Sequence, residues 1–364
     1  DAQESRGLGD VYKRQVYIYL LASLGVSVCF PKNKFLIYLN ITLMLFLGIM
    51  RGITVGTDCL GYSFDYYILD NFGDVYKIYH SFEIGFVTLI IYFKKYITED
   101  YLTFVSCLFI PFFWGCLKLI HYRKQSIPLA LFFLYTWGYY FAAYNIMRQM
   151  MALGIMLFFM PLLYKGKYLK FSISVIITAL LFHQSGLFML LLIPLHYIVT
   201  VRQIFPCKKV LYAALVVSFA SFFVGKAYLQ SLLNPFLALF DTKYVNYVLG
   251  FEEEELGLIG NLGQTLVACM LVYLYRRGKM DMEMIAFTVA VVLYNLLGIF
   301  SSAAPRLTQY WTILGIVLLP YFVNENGTRK KKIFLLVLFS YSLLRFFNAF
   351  YVNNAGEINP YILR

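Results

Sequence analysis

The sequence predicts an all-α, polytopic transmembrane helical bundle with about 12–13 spans. Of its 364 residues, 61% are hydrophobic and 14% are charged, and the mean hydropathy is +0.69. A soluble domain has about 45–50% apolar and about 25% charged residues. Apolar runs of roughly 17–25 residues recur along the chain, and each is long enough to cross a bilayer. These runs lack the apolar–polar alternation of outer-membrane barrel strands, so the spans are expected to be helices.

The apolar runs give the order of the predicted spans along the chain. They lie near residues 16–30, 35–50, 83–93, 101–120, 127–144, 149–164, 171–182, 186–200, 210–229, 263–275, 284–300, 307–323 and 333–352. Because no linker or soluble domain interrupts this pattern, residues 16–364 are predicted to form a single integral-membrane domain. Two longer polar segments, 51–82 and 230–262, are predicted to be outer loops.

The first fifteen residues, DAQESRGLGDVYKRQ, differ from the rest of the chain. They are polar, and DVYKRQ resembles the translation of a transposon-adapter sequence used in making sequencing libraries. We therefore expect residues 1–15 to be an assembly artefact and exclude them from the fold prediction.

The basic residues of the short loops predict the orientation of the spans. The net charge is +12, which topology and contact with anionic membrane lipid explain without a nucleic-acid partner. From residue 121 onward, basic loops predicted to be cytoplasmic alternate with outer loops that are nearly free of lysine. The basic loops are 123–124, 165–170, 202–209, 276–279 and 329–332, and the outer loops are 145–149, 183–185, 230–262 and 301–306.

The pattern before residue 121 leaves two topologies open. The segments KKYITED (94–100) and HYRKQS (121–126) both have the composition of cytoplasmic loops, although one full crossing separates them. Either the short run 83–93 is re-entrant, or one of the two loops is outside.

The cysteines predict neither a metal site nor a disulfide framework. The six cysteines are scattered, without a CxxC or CxxH pair, at positions 29, 59, 107, 116, 207 and 269. No metal and no cofactor are expected.

Three arginines stand in predicted outer loops, each at a helix end: Arg51, Arg148 and Arg306. Ionisable groups close to a bilayer are costly and are usually kept for function. The planar guanidinium of arginine matches phosphate groups with two parallel hydrogen bonds. Arg148 would also lie at a helix start, where free backbone N–H groups favour an anion. We therefore predict that these arginines bind a diphosphate, although arginines that snorkel to lipid headgroups would give the same pattern.

Three other polar residues interrupt apolar sequence near the predicted outer face. His183, in HQSG, is a candidate base because an unperturbed imidazole titrates near neutrality. Asp58 follows Gly56, which permits a tight turn, and Glu83 stands at the start of an apolar run. Either acid is a candidate to orient an arginine, to bind acceptor hydroxyls or to act as the base. His80, in the predicted loop 51–82, is interpreted as a surface residue.

Taken in order, these motifs resemble the EpsG family of Wzy-like bacterial polysaccharide polymerases. The family pattern is Arg-x-x-x-x-Gly-Thr-Asp, Glu-x-Gly, Arg-Gln-x-x-Ala, His-x-Ser, and then an arginine followed by an aromatic residue. In this chain it reads RGITVGTD from Arg51 to Asp58, Glu83-Ile84-Gly85, Arg148-Gln149-Met150-Met151-Ala152, His183-Gln184-Ser185, RLTQY from Arg306 to Tyr310, and a closing Pro360-Tyr361. The resemblance extends from about residue 16 to the end, with Cys59 standing where the family often has an aromatic residue.

The resemblance implies a GT-C-like polymerase of exopolysaccharide, capsule or O-antigen in the bacterial cytoplasmic membrane. Such enzymes transfer a growing glycan from one undecaprenyl diphosphate to the sugar end of another lipid-linked repeat unit, at the outer face and without a metal. It implies that the three arginines hold the diphosphate, that His183, Asp58 or Glu83 is the base, and that the substrate contacts Gln149, Gln184 and Tyr310. The implied partners are undecaprenyl-diphosphate-linked oligosaccharide, membrane lipid, and a chain-length regulator with other assembly proteins.

Three other functions share parts of this pattern. Another GT-C glycosyltransferase or an O-antigen ligase would use Asp58 in the first outer loop. A non-enzymatic flippase of lipid-linked oligosaccharide is expected to show internal repeats, and none is visible here. A membrane acyltransferase would use a histidine but leaves the three outward arginines unexplained.

Overall fold

The all-α prediction is confirmed. The computed structural model describes residues 2–78, 80–237, 258–278, 280–299, 304–324, 329–354, 356–357 and 361–363. Across these ranges the backbone is helical or irregular, and its one β-type pairing is an isolated antiparallel bridge between Arg51 and Leu363.

Sixteen α-helices, which we number in chain order, lie in the described ranges. They are α1 (Ala2–Cys29), α2 (Lys34–Ile49), α3 (Thr57–Ile68), α4 (Ile84–Tyr96), α5 (Tyr101–Tyr122), α6 (Ile127–Thr136), α7 (Tyr139–Asn145), α8 (Met147–Tyr164), α9 (Tyr168–Phe182), α10 (Leu192–His196), α11 (Lys208–Leu237), α12 (Leu258–Leu274), α13 (Asp281–Leu297), α14 (Gln309–Thr312), α15 (Gly315–Asn324) and α16 (Arg329–Phe346). Short 3-10 segments occupy Phe72–Lys77, Gln184–Leu191 and Ala304–Thr308, and π-helical turns occupy Tyr197–Val201 and Phe347–Val352.

Four helical stretches among the described residues are long and apolar enough to cross a membrane: Tyr101–Tyr122, Met147–Tyr164, Gln184–Val201 and Lys331–Phe350. Six shorter apolar helices of 10–17 residues accompany them. These lengths and compositions are those of a multi-pass helical membrane protein.

The chain divides into two compact units. The first contains residues 1–190, 319–321 and 342–364, and the second contains residues 191–318 and 322–341. The candidate site described below lies in the first unit.

Helices α5 and α8 form the centre of the first unit and run in the same direction. Tyr101, Phe104 and Leu108 near the start of α5 line one recess with Met147 at the start of α8. A Cβ built on Gly115 would lie 2.0 Å from the Gly154 carbonyl oxygen in the middle of the pair. The rings of Tyr122 and Tyr164 stack at 5.6 Å at the other end. We call the end where both helices begin the site end of this unit.

Helix α4 lies across the first turns of α5 and does not cross the bundle. Its residues Phe86 and Phe93, two turns apart, both contact Phe104 of α5, with ring centroids 5.8 and 5.2 Å away. Both ends of α4 are therefore at the site end. Residues 83–93 therefore do not make a full crossing, and the segments 94–100 and 121–126 lie at opposite ends of α5.

The segment 51–82, predicted to be an outer loop, contains helical structure. Helix α3 and the segment Phe72–Lys77 lie within it. Helix α3 places Cys59, Ser63 and Tyr66 in the interior at helical spacing, while Leu60, Phe64 and Tyr67 are exposed. A single helix of this length, with polar residues mixed among aromatic ones, resembles a loop in composition.

Helical structure also occupies both ends of the segment 230–262, the second predicted outer loop. Helix α11 extends to Leu237, and helix α12 begins at Leu258. Residues 238–257, which include the acidic run Glu252–Glu255, lie outside the described residues. At the other end of the chain, helix α1 begins at Ala2 and includes the segment expected to be an artefact, so that expectation stays a prediction.

In the second unit, helices α11, α12 and α13 pack together around a buried amide. The Asn295 side-chain amide donates to Ser218 Oγ at 3.3 Å and to Thr265 Oγ1 at 3.0 Å. Lys208 donates to the carbonyl of Tyr275 at 2.7 Å, close to the C-terminal end of α12.

Candidate functional site

An ion pair between Arg148 and Glu83 is the centre of the site. Arg148 Nη1 donates to Glu83 Oε2 at 2.6 Å, and the two side chains are 12% and 13% exposed. Arg148 is the second residue of α8, and Glu83 is the residue that precedes α4. The sequence placed both at helix starts, and the fold brings those two helix starts together.

Three aromatic rings surround the guanidinium of Arg148. Its Cζ lies 4.7 Å from the ring centroid of Phe82 and 5.6 Å from those of Tyr62 and Phe86. Arg148 Nε also donates to Tyr62 Oη at 3.4 Å, and Nη1 donates to the Ser81 carbonyl at 3.4 Å. Because Nη1 and Nε make these bonds, Nη2 remains without a hydrogen-bond partner in the described part of the chain. The rings fix the orientation of a cation that still has a donor to offer.

The HQSG junction completes the other side of the ion pair. Glu83 Oε1 accepts a hydrogen bond from the backbone N–H of Gln184 at 3.2 Å. Glu83 therefore joins α4, α8 and the turn that follows α9. The side chain of Gln184 is exposed.

His183 ends helix α9 next to this junction and is half-buried. Its Nδ1 is 2.7 Å from Ser185 Oγ. Burial and the nearby positive charge of Arg148 lower the pKa of His183 from 6.5 to about 4, against a smaller opposite effect of Glu83. The ring is therefore neutral at pH 7.

Asp58 lies near the site on the first turn of α3 but does not contact either Arg148 or Arg51. Its carboxylate accepts a hydrogen bond from Thr57 Oγ1 at 3.3 Å. The turn before it is fixed by Asn145, whose Oδ1 accepts from the Thr57 backbone N–H at 2.8 Å. Asn145 is the last residue of α7, directly before α8.

Gly56 is needed in this turn for two reasons. Its φ of +109° is rarely adopted by L residues, and a Cβ there would lie 2.7 Å from the Tyr144 carbonyl oxygen. The turn therefore lies directly against the connection between α7 and α8, which fixes the start of α3 next to the start of α8.

Arg51 is buried, with 2% of its surface exposed. Its Cζ lies 4.6 Å from the centroid of the Tyr144 ring, and Nη2 donates to Met147 Sδ at 3.0 Å. Its Nε and Nη1 have no hydrogen-bond partner among the described residues. The neighbouring Gly52 N–H donates to the Ile362 carbonyl at 2.6 Å, which ties this segment to the end of the chain. Arg51 thus contacts Met147, the residue before Arg148, from the interior of the unit. The sequence had predicted that Arg51 lies in an outer loop.

Three further residues were predicted to belong to the site. Gln149 follows Arg148 on α8 and is 5% exposed. Arg306 is exposed on the segment Ala304–Thr308, and Tyr310 is buried on α14. These last two belong to the second unit, whereas Arg148 and Glu83 belong to the first.

Sequence reasoning missed the residues around Arg148 and the role of His80. Tyr62, Ser81, Phe82 and Phe86 all contact the guanidinium. His80, interpreted as a surface residue, lies against Tyr62 and Phe82 and pairs with Asp65. The one signal available was the density of aromatic residues between positions 62 and 86, because the partners themselves are far apart in sequence.

No group of three or more His, Cys, Asp and Glu side chains is arranged to hold a metal ion within the described ranges. A family model described as "EpsG family" matches residues 34–363, which is nearly the whole chain. No curated protein and no solved structure matches the chain.

Proposed function

The chain belongs to the EpsG family, a family of Wzy-like polymerases, and on that premise we propose that it polymerises lipid-linked glycans at the outer face of the bacterial cytoplasmic membrane. At the family level the activity is that of a glycosyltransferase-like polymerase for exopolysaccharide or O-antigen. The proposal adds the substrates. The donor is a glycan on undecaprenyl diphosphate, and the acceptor is a second lipid-linked repeat unit.

The proposed reaction exchanges one glycosidic bond for another. An acceptor hydroxyl oxygen bonds to the anomeric carbon of the donor glycan, and the bond from that carbon to the diphosphate oxygen breaks. The lipid diphosphate leaves with the bonding electrons, and the hydroxyl proton passes to a base. The transition state gains negative charge on the diphosphate, so a fixed cation aimed at that oxygen stabilises it more than the ground state.

The geometry of Arg148 carries the proposal. Its guanidinium is held in a fixed plane by three rings, at a helix start, with Nη2 uncommitted. Backbone N–H groups at the start of α8 and the helix dipole add to the positive potential there. A diphosphate oxygen bound by Nη2 would lie beside the Glu83 carboxylate. The negative charge of Glu83 limits how closely a second anionic group can approach, so the position of the bound oxygen is restricted.

The other predicted residues support Arg148 in different ways. Arg51, directly behind Met147, adds a second positive charge at the same helix start. Gln184 positions Glu83 through its backbone, and Gln149 is buried beside Arg148 on α8. The substrate roles of Gln149 and Gln184, and the roles of Arg306 and Tyr310, stay predictions.

Each of the three candidates for the base that the sequence predicts is either committed to another group or weakly basic. Glu83 is committed to Arg148 and to the Gln184 N–H. Asp58 accepts from Thr57 on the first turn of α3. His183 is neutral but weakly basic, since its pKa is about 4, and general bases work best when their pKa is near the operating pH.

The proposal is tested with purified protein in lipid vesicles. Undecaprenyl-diphosphate-linked repeat units are added with EDTA present, and the products are separated on a gel. A ladder spaced by whole repeat units is the expected result, and it would also establish that no divalent metal is needed. Addition of a single sugar would indicate another GT-C transferase, and transfer to a different acceptor would indicate a ligase. Movement of the substrate across the bilayer without formation of a new glycosidic bond would indicate that the protein is a flippase and not a polymerase.

A further inference from the structure

A second histidine, His80, lies close to the aromatic rings that surround Arg148. His80 Nδ1 is 2.5 Å from Asp65 Oδ2, and the same carboxylate oxygen accepts from the His80 backbone N–H at 3.1 Å. The Asp65 side chain is 1% exposed, whereas the His80 ring is 31% exposed. A buried carboxylate thus holds an imidazole that remains open to the outside.

His80 and Arg148 share two aromatic neighbours. The His80 ring is parallel to the Phe82 ring at 5.9 Å and meets the Tyr62 ring edge-on at 4.8 Å. Phe82 and Tyr62 are also two of the three rings around the Arg148 guanidinium. The imidazole is therefore one aromatic side chain away from the cation that we assign to the diphosphate.

The chemistry of the pair defines which ring nitrogen acts. An ionised carboxylate only accepts hydrogen bonds, so His80 Nδ1 carries the proton between the two groups. The lone pair of the neutral ring is then on Nε2. When Nε2 takes a proton, the positive charge that forms is stabilised by Asp65, which also fixes the ring orientation. This combination suits a general base better than a carboxylate that already neutralises an arginine.

We infer that His80 Nε2 takes the proton of the acceptor hydroxyl during glycan transfer and that Asp65 is its positioning residue. The inference rests on the proposed function. In this step the acceptor oxygen bonds to the anomeric carbon, its proton moves to Nε2, and the lipid diphosphate leaves with the electrons of the broken bond toward Arg148. His183 and Glu83 are then neighbours of the departing diphosphate, and His80 accepts the proton of the acceptor hydroxyl.

The test compares His80→Gln, Asp65→Asn and His121→Gln in the vesicle assay. His121 is exposed at the far end of α5, so His121→Gln is the matched control and retains the wild-type rate. His80→Gln is expected to slow ladder formation by about 10²–10⁴-fold. Its affinity for undecaprenyl-diphosphate oligosaccharide, measured by native mass spectrometry, changes by less than about threefold, because the base does not hold the diphosphate.

Two further readouts separate a base from a structural side chain. His80→Gly supplied with free imidazole regains part of the rate, which a packing defect would not do. Asp65→Asn is expected to lower the maximal rate of ladder formation with little change in the substrate concentration at half-maximal rate, because the ring is retained but loses the carboxylate that orients it. Tyr62 on α3 contacts the His80 ring, and the guanidinium of Arg148 on α8 lies beyond Tyr62.

The outcomes distinguish the inference from the function it depends on. Normal ladders in His80→Gln would overturn the role of His80, provided that Arg148→Ala is inactive. Full activity in Arg148→Ala would instead remove the proposed function. If His80→Gln does not fold, imidazole rescue of His80→Gly and the maximal rate of Asp65→Asn decide the question. No rescue by imidazole together with a wild-type rate in Asp65→Asn would reject the inference.

Discussion

Arg148 Nη1 and Glu83 Oε2 are 2.6 Å apart, although 65 residues separate them in the chain. The contact joins the start of α8 to the start of α4 and, through the Gln184 N–H, to the turn after α9. One carboxylate thus positions three segments around one cation. The predictions below examine that arrangement and the turn that brings α3 beside it.

Replacement of Arg148 is expected to abolish polymer formation. Arg148→Ala removes the charge proposed to stabilise the departing diphosphate, and we expect a loss of at least about 100-fold in ladder formation. Arg148→Lys is expected to restore little, because a point charge does not replace a planar guanidinium. The measurement is the initial rate in vesicles, with folding checked by size-exclusion chromatography.

Arg123→Ala is the matched control for Arg148. Like Arg148, Arg123 lies at the end of a helix and over an aromatic ring, with its Cζ 4.6 Å from the centroid of the Tyr164 ring. It lies at the other end of α5, away from the site end. It is expected to retain polymer formation. Normal ladders from Arg148→Ala would contradict the diphosphate role.

The Arg148–Glu83 pair is expected to be energetically coupled. Each of Arg148→Met and Glu83→Gln leaves the other group in a largely buried place without its partner, which is costly. The double variant removes both, so its loss of stability is smaller than the sum of the single losses. We expect a coupling of about 0.5–3 kcal/mol, measured by denaturation of the three variants and the wild type in one detergent. Strict additivity would show that the pair contributes nothing.

His183 is expected to make the fold less stable in acid. Its pKa in the folded protein is about 4, below its ordinary value of 6.5. As the pH falls through this window the unfolded chain binds a proton before the folded protein does, so the free energy of unfolding decreases. A pKa shift of this size corresponds to a decrease of about 3 kcal/mol in the free energy of unfolding, and the whole decrease is reached below about pH 4.

His183→Gln removes this contribution, because glutamine does not titrate. Thermal unfolding at pH 7.5, 5.5 and 4 is measured for the variant and the wild type. The difference between the two proteins should change with pH over this window. A constant difference would show that the ring is not held neutral.

Gly56→Ala is expected to damage the site more than Gly166→Ala. Both glycines have positive φ, +109° and +67°, but a Cβ on Gly166 meets nothing within 4 Å. Gly166→Ala therefore measures backbone strain alone, about 1–2 kcal/mol. Gly56→Ala adds a clash with the Tyr144 carbonyl, for which overpacking costs about 1–3 kcal/mol more.

The readouts for the glycine pair are the unfolding midpoint and the ladder rate. Only Gly56→Ala is expected to lower the rate, because only that turn sets α3, and with it Tyr62, against Arg148. Equal effects of the two variants on both readouts would show that the close approach to Tyr144 is unimportant.

The sequence by itself determined the class of the protein. Its apolar runs predicted a helical membrane protein, which the structure confirms, and its motif order indicated the EpsG family, which the family match confirms. Arg148, Glu83 and the His183 junction were also selected from sequence, because a charge beside an apolar run is costly and therefore conspicuous.

Only the tertiary structure decided which of those residues meet and which segments surround them. Arg51, like Arg148, borders an apolar run in the sequence, yet the fold buries it between Tyr144 and Met147. Helix α4 resembles a short span, but packing against Phe104 keeps both of its ends at the site end. The sequence does not predict that His80 and Asp65 pair, because their contact depends on how the chain after α3 turns back toward that helix. Hydropathy reports how much a residue gains by leaving water, and it says nothing about which neighbour the residue then meets.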